Sequence, residues 1–327
     1  MGYILGIDQG GTNTRAAVMD TDGNVLGYGR TEGVYFPSSG IKNALQAIAE
    51  ASAVALDIAG AKIGDVDMIV AGVSGIDWDG DDTLVAGELA DFFAVDSIIA
   101  CNDCEIAYYG GSVRPVGAVL CAGTGANAAY FAPGGKKFVM GDYMKASLQG
   151  GSAIARRAAD AVFESCIGVI PETALTELFL GHFKDASVHE LLRRSMVNPD
   201  FPKEITSLVP QIIKTADNGD EAAAGLLSSF SDELCGCFMA GIRKMNMSDI
   251  DCDIVLSGSV FKGSANPLTA MIKERLAKSA ARAKIINARL DPIVGACIMA
   301  IITKSGAFSD SMYQRAVASS ERFGLLR

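Results

Sequence analysis

The sequence predicts an α/β protein made of two lobes, and three observations lead to that expectation. The chain has 327 residues, half of them hydrophobic, which is enough for about two domains with cores of their own. Strand-like and helix-like segments alternate along much of it, as in proteins whose sheets are covered by helices. Two segments, QGGTNTRAAVMDTDG and AGTGANAAYFAPGG, also share one layout at an offset of 113 residues (position 10 against position 123). The shared order of strand, Gly/Thr loop, strand, Gly turn and strand indicates an internal repeat, in which Gly10 matches Gly123 and Thr14 matches Asn127.

The first lobe is predicted to open with three strands. Short apolar runs, separated by the Gly/Thr loop and by the Asp-Gly turn of TDGN, indicate them. Apolar residues at helical spacing then predict a long amphipathic helix, followed by a strand, a helix and a last strand that ends at Asn102 and Asp103. The predicted strands cover residues 3–8, 15–20, 25–31, 68–73 and 97–101, and the helices residues 41–58 and 84–93.

The second lobe is predicted to repeat the opening hairpins and then to become helical. Strands are expected at residues 117–122, 128–132 and 136–140, and nearly continuous helix over residues 153–244. A strand at 253–256, a helix at 267–283 and a strand at 284–287 follow. An apolar helix over 291–302 and a surface helix over 309–320 end the chain.

The charge balance disfavours two classes of binding partner, nucleic acids and membranes. The 28 Lys and Arg against 38 Asp and Glu give a net charge of −10, and such a surface repels phosphate backbones and anionic lipid. We therefore expect no nucleic-acid partner and no membrane partner. With 2 His and 8 scattered Cys, a zinc site or a disulfide framework is not expected either. The apolar runs fall short of the roughly 20 residues of a membrane span and no leader-like segment is seen, so we expect a soluble, cytoplasmic protein.

The two Gly/Thr loops are suited to bind a phosphate chain from two sides. Glycine lets backbone N–H groups approach phosphate oxygens, and hydroxyl and amide side chains add neutral donors. Arg15 could add a charge-assisted bond, and Asp8 at a strand end could hold Mg²⁺. A third Gly loop is formed by SGS at 257–259. The neutral donors are Thr12, Thr14, Thr124 and Asn127. Gly-rich turns also occur for purely structural reasons, and it is the ordered set of loops that favours phosphate.

A dinucleotide-binding loop is the competing interpretation of GTGANA at residues 123–128. That motif must open a helix whose N-terminus faces the pyrophosphate. The residues that follow, AAYFAPGGKKFVM, predict a hairpin instead, and a Walker A loop is absent from the sequence.

The ordered motifs resemble the superfamily of sugar kinases, heat-shock chaperone ATPases and actin. GIDQGGTNTRAAVMDTDGNVL is similar to its first phosphate motif, GAVLCAGTGANAAYF to the second, DIVLSGSVFKG to the adenosine motif and DPIVGACIMAI to the second connecting helix. AGVSGID, the pair Asn102-Asp103 and GTG before a hairpin are most similar to the BadF/BadG/BcrA/BcrD group, which includes N-acetylglucosamine and glucosamine kinases.

The resemblance implies two ribonuclease-H-like lobes, each a mixed five-stranded sheet with helices, with ATP in the cleft between them. It implies an N-terminal lobe over residues 1–115, a C-terminal lobe with a helical insertion over 116–290, and helices over 291–327 that pack back toward the first lobe. The activity implied is that of an ATP- and Mg²⁺-dependent kinase acting on a hydroxyl of a hexosamine or N-acetylhexosamine. The family also suggests a homodimer.

The same resemblance assigns roles to individual residues, all of which are expectations. Asp103 would be the catalytic base and, with Asp8, would lie at the metal. The phosphates would be held by Gly10, Gly11, Thr12, Asn13, Thr14 and Arg15 from one lobe, and by Gly123, Thr124, Gly125 and Asn127 from the other. Gly258 and Ser259 would lie against adenosine. Ser74, Gly75, Asn102, Asp103 and Gln149 would contact the sugar.

Two departures from the family pattern leave the acceptor open. Where the N-acetylglucosamine kinases carry a GDEGS-like segment, this chain has SLQGGSA, with Leu148 at the place of the Asp and Gln149 at the place of the Glu. The Asn expected after the third strand is also missing from EGVYFPSSG. Lost carboxylate and amide groups change which hydroxyls a pocket can satisfy. A different sugar, a related alcohol or a degenerate site are the alternatives.

The other branch of the family supplies the alternative function. Its ATPases activate 2-hydroxyacyl-CoA dehydratases or reductases through an iron–sulfur cluster, and LCAGTG superficially resembles a segment in them whose Cys binds the cluster. Here Cys121 falls inside the strand that enters the loop, so a strand residue is the favoured interpretation. A sugar sensor on the kinase fold is a third interpretation with little support.

Overall fold

A computed structural model, describing residues 2–263 and 266–327, contains two five-stranded mixed sheets. The strands of the first are β1 Tyr3–Gln9, β2 Asn13–Asp20, β3 Val25–Glu32, β4 Val66–Val73 and β5 Ile98–Asn102. Their order across the sheet is β3-β2-β1-β4-β5. The second sheet holds β6 Gly117–Ala122, β7 Ala126–Ala132, β8 Lys136–Val139, β9 Asp253–Ser257 and β10 Lys284–Asn287, in the order β10-β9-β6-β7-β8. The two sheets have the same layout, which confirms the predicted α/β class and its repeat.

Most helices fall close to the predicted segments, but no helix is predicted at Phe36–Ser39 or Asp103–Tyr109, and the nearly continuous helix expected over 153–244 is divided into six. The first lobe carries α1 Phe36–Ser39, α2 Ile41–Ala59, α3 Asp81–Phe93 and α4 Asp103–Tyr109. The second carries α5 Gly150–Cys166, α6 Leu175–Phe183, α7 Val188–Val197, α8 Phe201–Thr206, α9 Val209–Asp217, α10 Glu221–Lys244 and α11 Pro267–Ser279, and the chain continues in α12 Pro292–Ser305 and α13 Asp310–Glu321. Short 3-10 turns cover Ile63–Asp65, Pro133–Gly135, Gly141–Tyr143, Ala146–Leu148 and Ser259–Phe261.

The register of the sheets brings the polar strand ends to one side of the molecule. β1 runs parallel to β4 with Asp8 beside Gly72, and β4 runs parallel to β5 with Gly72 beside Cys101. In the second sheet β6 runs parallel to β9, with Cys121 beside Ser257. Because the carboxyl ends of parallel strands meet at one edge of a sheet, the loops that follow these strands lie together there.

Each sheet is covered by helices on both faces. In the first lobe α2 and α3 pack on one face, and α12 and α13 on the other. α12 lies so close that a Cβ on Gly6 would be 2.6 Å from the Cys297 Sγ, and a Cβ on Gly295 would be 2.1 Å from the Ile106 carbonyl oxygen. Glycine is required at both contacts, because any side chain would push α12 away from β1 and α4.

α4 lies between the two lobes. It contacts β4 and β5 of the first sheet and β6, β7 and β9 of the second, and its fully buried Tyr108 packs against Phe131 of β7 with ring centroids 4.9 Å apart. The Tyr108 hydroxyl donates to the carbonyl of Arg114 or of Val116 (3.1 and 3.2 Å). A helix packed against both sheets gives the residues at its N-terminus a fixed position between the lobes.

Among residues 2–263 and 266–327, no helix combines the length and apolarity that crossing a bilayer would demand.

Candidate active site

The loops at the strand ends enclose a cleft of about 600 Å³ between the two lobes. Nearly every predicted site residue lines it. Those lining it are Asp8, Gly10, Gly11, Thr12, Asn13, Arg15, Ser74, Gly75, Asn102, Asp103, Gly123, Thr124, Gly125, Asn127, Gln149, Gly258 and Ser259. Thr14 is the exception: it is fully buried, and its Oγ1 has no hydrogen-bond partner among the described residues. Its side chain therefore faces the interior of the lobe rather than the cleft.

The first Gly/Thr loop, between β1 and β2, is held by the backbone. The N–H of Gly10 donates to the carbonyl of Asn13 (2.9 Å), and the N–H of Gly33 donates to the carbonyl of Thr12 (3.1 Å). A Cβ on Gly33 would lie 2.4 Å from the Asn13 nitrogen, so only glycine lets the end of β3 pack under the loop. The Asn13 amide oxygen accepts from the Arg30 guanidinium (2.5 Å from Nη2).

Four charged side chains form an ion network below that loop, which we call the charge quartet: Asp8, Arg15, Asp291 and Arg327. Arg15 pairs with Asp8 and, at 2.8 Å, with Asp291. The same Asp291 oxygen accepts from Arg327 at 2.9 Å, and the other caps the N-terminus of α12 by accepting from the Ile293 N–H (3.3 Å). Burial raises the pKa of Asp8, an effect that the adjacent Arg15 opposes. Arg15 thus pairs with two carboxylates while also lining the cleft, and its predicted contact with phosphate stays a prediction.

The second Gly/Thr loop, between β6 and β7, is anchored by the start of α5. The carbonyls of Gly123 and Thr124 accept from the N–H groups of Gly151 (2.8 Å) and Ser152 (3.0 Å). In a planar trans peptide the N–H points opposite to the carbonyl, so the N–H groups of Thr124 and Gly125 face away from α5, toward the cleft. Such convergent backbone donors suit an anion.

The register shows that the second hairpin is one residue tighter than the first. Asp8 pairs with Arg15 across β1 and β2, whereas Cys121 pairs with Asn127 across β6 and β7. Asn127 therefore stands in the place of Arg15, and the match of Thr14 with Asn127 inferred from the sequence is wrong by one residue. The loop leads into β7 and opens no helix, which agrees with the hairpin prediction and not with a dinucleotide loop.

Gly258 lets the loop after β9 lie directly on β6. Its φ of +118° is a conformation that favours glycine, and a Cβ there would lie 2.1 Å from the Ala122 carbonyl oxygen. Gly258, Ser259 and Lys262 consequently line the cleft beside the second loop. This is the place where the resemblance expects adenosine.

Asp103 is the first residue of α4 and lies at the floor of the cleft. Asn102 caps the helix by accepting from the Cys104 N–H (3.0 Å), while Glu105 accepts from the Asn102 N–H (3.2 Å). The buried Glu105 is in turn paired with Lys137 of β8 at 3.2 Å. This capping box fixes the direction of the first turn, and Lys137 ties it to the second lobe.

The surroundings of Asp103 raise its pKa to about 7. Removal from bulk water at the floor of the cleft is the main cause, and the neighbouring charges of Asp8 and Asp77 add to it. A carboxyl with a pKa near neutrality is suited to take up a proton during a reaction.

Asn102 and Asn127 connect the lobes beside Asp103. The Asn102 amide nitrogen donates to the Ile76 carbonyl (3.1 Å) and to Asp77 Oδ1 (3.0 Å), and its oxygen accepts from the Asn127 amide nitrogen (3.2 Å). The Asn127 oxygen accepts from the Gly141 N–H at 2.8 Å. Both amides are thus occupied in positioning the cleft walls. Gln149 is similarly occupied, since its Oε1 accepts from the Ala126 N–H (2.9 Å).

Three carboxylates gather at one end of the cleft, which we call the carboxylate end: Asp77, Asp103 and Asp142. A Cβ on Gly141 would lie 3.2 Å from Asp77 Oδ1, so the two loops that carry Asp77 and Asp142 meet across the cleft. Burial and the charge of Asp142 both raise the pKa of Asp77. Tyr35, Ser74 and Gly75 line the cleft with them.

Sequence reasoning assigned no role to several cleft residues, among them Tyr35, Asp77, Asp142, Asp291 and Arg327. Asp77 lies within the AGVSGID segment, but the resemblance assigns it no role, and Asp291 precedes Pro292 in a pattern typical of a helix start. Arg327 carries no local signal, since it is the backbone pairing of residues 325–327 with residues 289–291 that brings it to the cleft.

The donor set of the cleft fits a magnesium ion that is shared with phosphates. No group of three or more His, Cys, Asp or Glu side chains, over the residues the structure describes, could hold a metal alone. Mg²⁺ in nucleotide sites is bound through one or two carboxylates and the substrate's phosphates. Asp8 and Asp103 are carboxylates of that kind, and they lie close enough together for the charge of Asp8 to raise the pKa of Asp103.

Cys121 lies within β6, as expected, and one side of it borders the cleft. Burial raises its pKa well above the ordinary thiol range, so the thiolate that a cluster ligand needs is disfavoured.

Comparison with known proteins finds sugar kinases among the chains similar to this one. A glucosamine kinase of Vibrio cholerae is 25% identical over 237 residues, covering 72% of this chain and 78% of the relative. An N-acetylmuramic acid/N-acetylglucosamine kinase of Clostridium acetobutylicum is 24% identical, covering 92% of this chain and 98% of its own. The fold is shared with a proposed N-acetylglucosamine kinase from Chromobacterium violaceum (TM-score 0.68, 20% identity, 91% and 99% of the two chains).

The family of this chain is shown by a family-model match that spans nearly the whole chain. The model of the BadF/BadG/BcrA/BcrD ATPase family matches residues 5–300, which include both Gly/Thr loops, Asp103 and the Gly258 loop. The chain belongs to the BadF/BadG/BcrA/BcrD ATPase family.

Proposed function

We propose that this protein is an ATP-dependent sugar kinase that transfers the γ-phosphoryl group to a hydroxyl of a hexosamine. The observation that carries the proposal is the position of Asp103 at the cleft floor, between two backbone loops suited to phosphate, with a pKa of about 7. The kinases named among the relatives support this function over the dehydratase activator, and so does the unfavourable environment of Cys121.

The residues divide the chemistry between them. Asp103 is placed to accept the proton of the acceptor hydroxyl as that oxygen attacks phosphorus. The N–H groups of Thr124 and Gly125 face the cleft and would stabilise charge on the phosphoryl oxygens. Mg²⁺, when bound through Asp8 and the phosphates, would neutralise charge that builds up during transfer.

The carboxylate end favours an acceptor that carries a free amine. The cations that line the cleft, Arg15, Lys262 and Arg327, belong to the charge quartet or to the Gly258 loop. Asp77 and Asp142 therefore face the acceptor without a cation beside them among the described lining residues. An ammonium group would be attracted there and a carboxylate repelled, so we expect glucosamine to be preferred to N-acetylglucosamine, and N-acetylmuramic acid to be poorest.

The deciding experiment is an ADP-release assay over glucosamine, N-acetylglucosamine, N-acetylmuramic acid and glucose, with each phosphosugar identified by mass spectrometry. ATP turnover without any phosphosugar would contradict the kinase. A preference for the acidic sugar would contradict the role of the carboxylate end alone. Asp142→Asn should raise KM for glucosamine more than for glucose.

Asp103→Asn tests the proposed base directly. Loss of a general base lowers kcat by about 10²–10⁴-fold, whereas ADP binding, measured by calorimetry, should change little. Asp91→Asn is the matched control, since Asp91 is an exposed acid on α3 of the same lobe. Near-normal turnover by Asp103→Asn would show that another group takes the proton.

A further inference from the structure

Arg327 is the arginine of the charge quartet with the fewest carboxylate partners. Arg327 donates from Nη2 to Asp291 (2.9 Å), and its side chain is 13% exposed. Its Nε is buried and has no hydrogen-bond partner among the described residues. An anion in the cleft could not reach that buried nitrogen, so it would bind the exposed part of the guanidinium.

The backbone holds Arg327 firmly in that place. Its N–H donates to the Arg289 carbonyl (3.0 Å), the Asp291 N–H donates to the Leu325 carbonyl (2.9 Å), and Leu326 pairs with Leu290. The residues before Arg327 are therefore bound to the segment that leads into α12. Asp291 then orients the guanidinium, so that little side-chain freedom is lost when a ligand binds.

The surroundings of Arg327 are those of the phosphate loops. It lines the cleft together with Gly10, Gly11 and Gly123, and its charge partly opposes the rise that burial causes in the pKa of Asp8 and of Cys121, one at each hairpin. Within the quartet the formal charges of two Asp and two Arg cancel. Arg15 spans both carboxylates, which leaves Arg327 as the guanidinium that contacts only one of them.

We propose that Arg327 binds the phosphate chain of the nucleotide, acting as a cationic partner that is paired with fewer carboxylates than Arg15 is. The proposal rests on the proposed function only in that the cleft binds a nucleotide. Guanidinium groups bind phosphate oxygens through directed, charge-assisted hydrogen bonds. Arg327 would thus neutralise charge on phosphates held by the two Gly/Thr loops, from a segment that lies outside both hairpins.

The test measures how binding depends on the number of phosphates. Calorimetry with ADP, AMP and adenosine, without acceptor, is compared for the unchanged protein, Arg327→Gln and Arg327→Lys. Loss of a charge-assisted bond should weaken ADP binding about tenfold or more in Arg327→Gln, and adenosine binding by less than about twofold. Arg327→Lys should fall between, since it keeps the charge but loses the planar fork.

Controls separate a phosphate ligand from a structural residue. Arg322→Gln is matched, because Arg322 is exposed and stacks over Phe323 at 4.5 Å, away from the cleft. Unchanged ADP binding in Arg327→Gln would overturn the proposal. Equal weakening of ADP and adenosine, together with a lower Tm, would also overturn it, since Arg327 would then only hold Asp291. Failure of the kinase assay would leave these binding outcomes intact, so the two proposals fail separately.

Discussion

The two Gly/Thr hairpins share a strand–loop–strand layout but differ in loop length and in charge. In the first, the strand pair ends in Asp8 and Arg15, which join Asp291 and Arg327 in an ion network. In the second, the same places hold Cys121 and Asn127, and the loop is anchored by backbone bonds from α5. A repeated hairpin can therefore be used in two ways: one copy concentrates charge for chemistry, and the other offers neutral donors on a rigid support.

Removing the acid of the charged hairpin should have the largest effect on catalysis, and the equivalent change in the neutral hairpin should have little. Asp8→Asn is expected to lower kcat by about 10²–10³-fold, because it removes a metal-binding carboxylate and leaves Arg15 with one partner. Cys121→Ala, the change at the equivalent place, should stay within about twofold, as expected for a small apolar strand position. Steady-state kinetics of both variants measure the difference. Comparable losses would show that the hairpins are not specialised.

A change in the Gly258 loop, which packs against the neutral hairpin, should have the second largest effect. Gly258→Ala places a methyl group 2.1 Å from the Ala122 carbonyl at a φ of +118°, so the Gly258 loop must move. We expect KM for ATP to rise about 10–100-fold, as for other displacements of about 1 Å at a binding site. Gly306→Ala is the control, with a φ of +81° but no neighbour within 4 Å. Equal effects would assign the loss to backbone strain and not to the contact.

The pH dependence of kcat should show how nearby carboxylates change the pKa of Asp103. A base with a pKa of about 7 is protonated below that pH, so kcat should fall about tenfold per pH unit below 7 and level off above it. Cys121→Asp would add a carboxylate to Asp8 and Asp77 near Asp103 and should move the midpoint upward, whereas Cys121→Ala should not move it. Rates at saturating ATP and acceptor from about pH 5.5 to 8.5 test this, and a flat profile would exclude Asp103 as the titrating base.

The smallest effect is expected from the side-chain anchor of the neutral loop. Gln149→Leu removes the acceptor of the Ala126 N–H, while the bonds from Gly151 and Ser152 remain. KM for ATP should rise by about three- to tenfold, the usual consequence of one lost hydrogen bond. Gln211→Leu, on the exposed face of α9, is the control. A loss as large as that of Gly258→Ala would mean that Gln149 also contacts substrate.

The homodimer suggested by the resemblance stays a prediction. Size-exclusion chromatography with light scattering measures it directly, and a single 34.1 kDa species would contradict it. The division of the chain at residues 115 and 290 also stays a prediction.

The sequence by itself determined the fold class, the repeat and the loops. Periodicity marks strands and helices because each element must bury one face, and glycine-rich turns with Thr and Asn mark places where backbone must approach a ligand or another chain segment. These signals are local, and together with the family motifs they are sufficient to locate Asp8, Asp103, both hairpin loops and the Gly258 loop.

Only the tertiary structure decided which of these groups act together. The contacts of Arg15 with Asp291, of Asn102 with Asn127, and of Arg327 with Asp291 join residues far apart in the chain, and no spacing in the sequence encodes them. The register decided that Asn127 replaces Arg15, and burial decided that Thr14 faces inward and that the pKa of Asp103 rises to about 7. Charge and solvation depend on every neighbour in space, which is why the sequence predicted the groups and the fold set their chemistry.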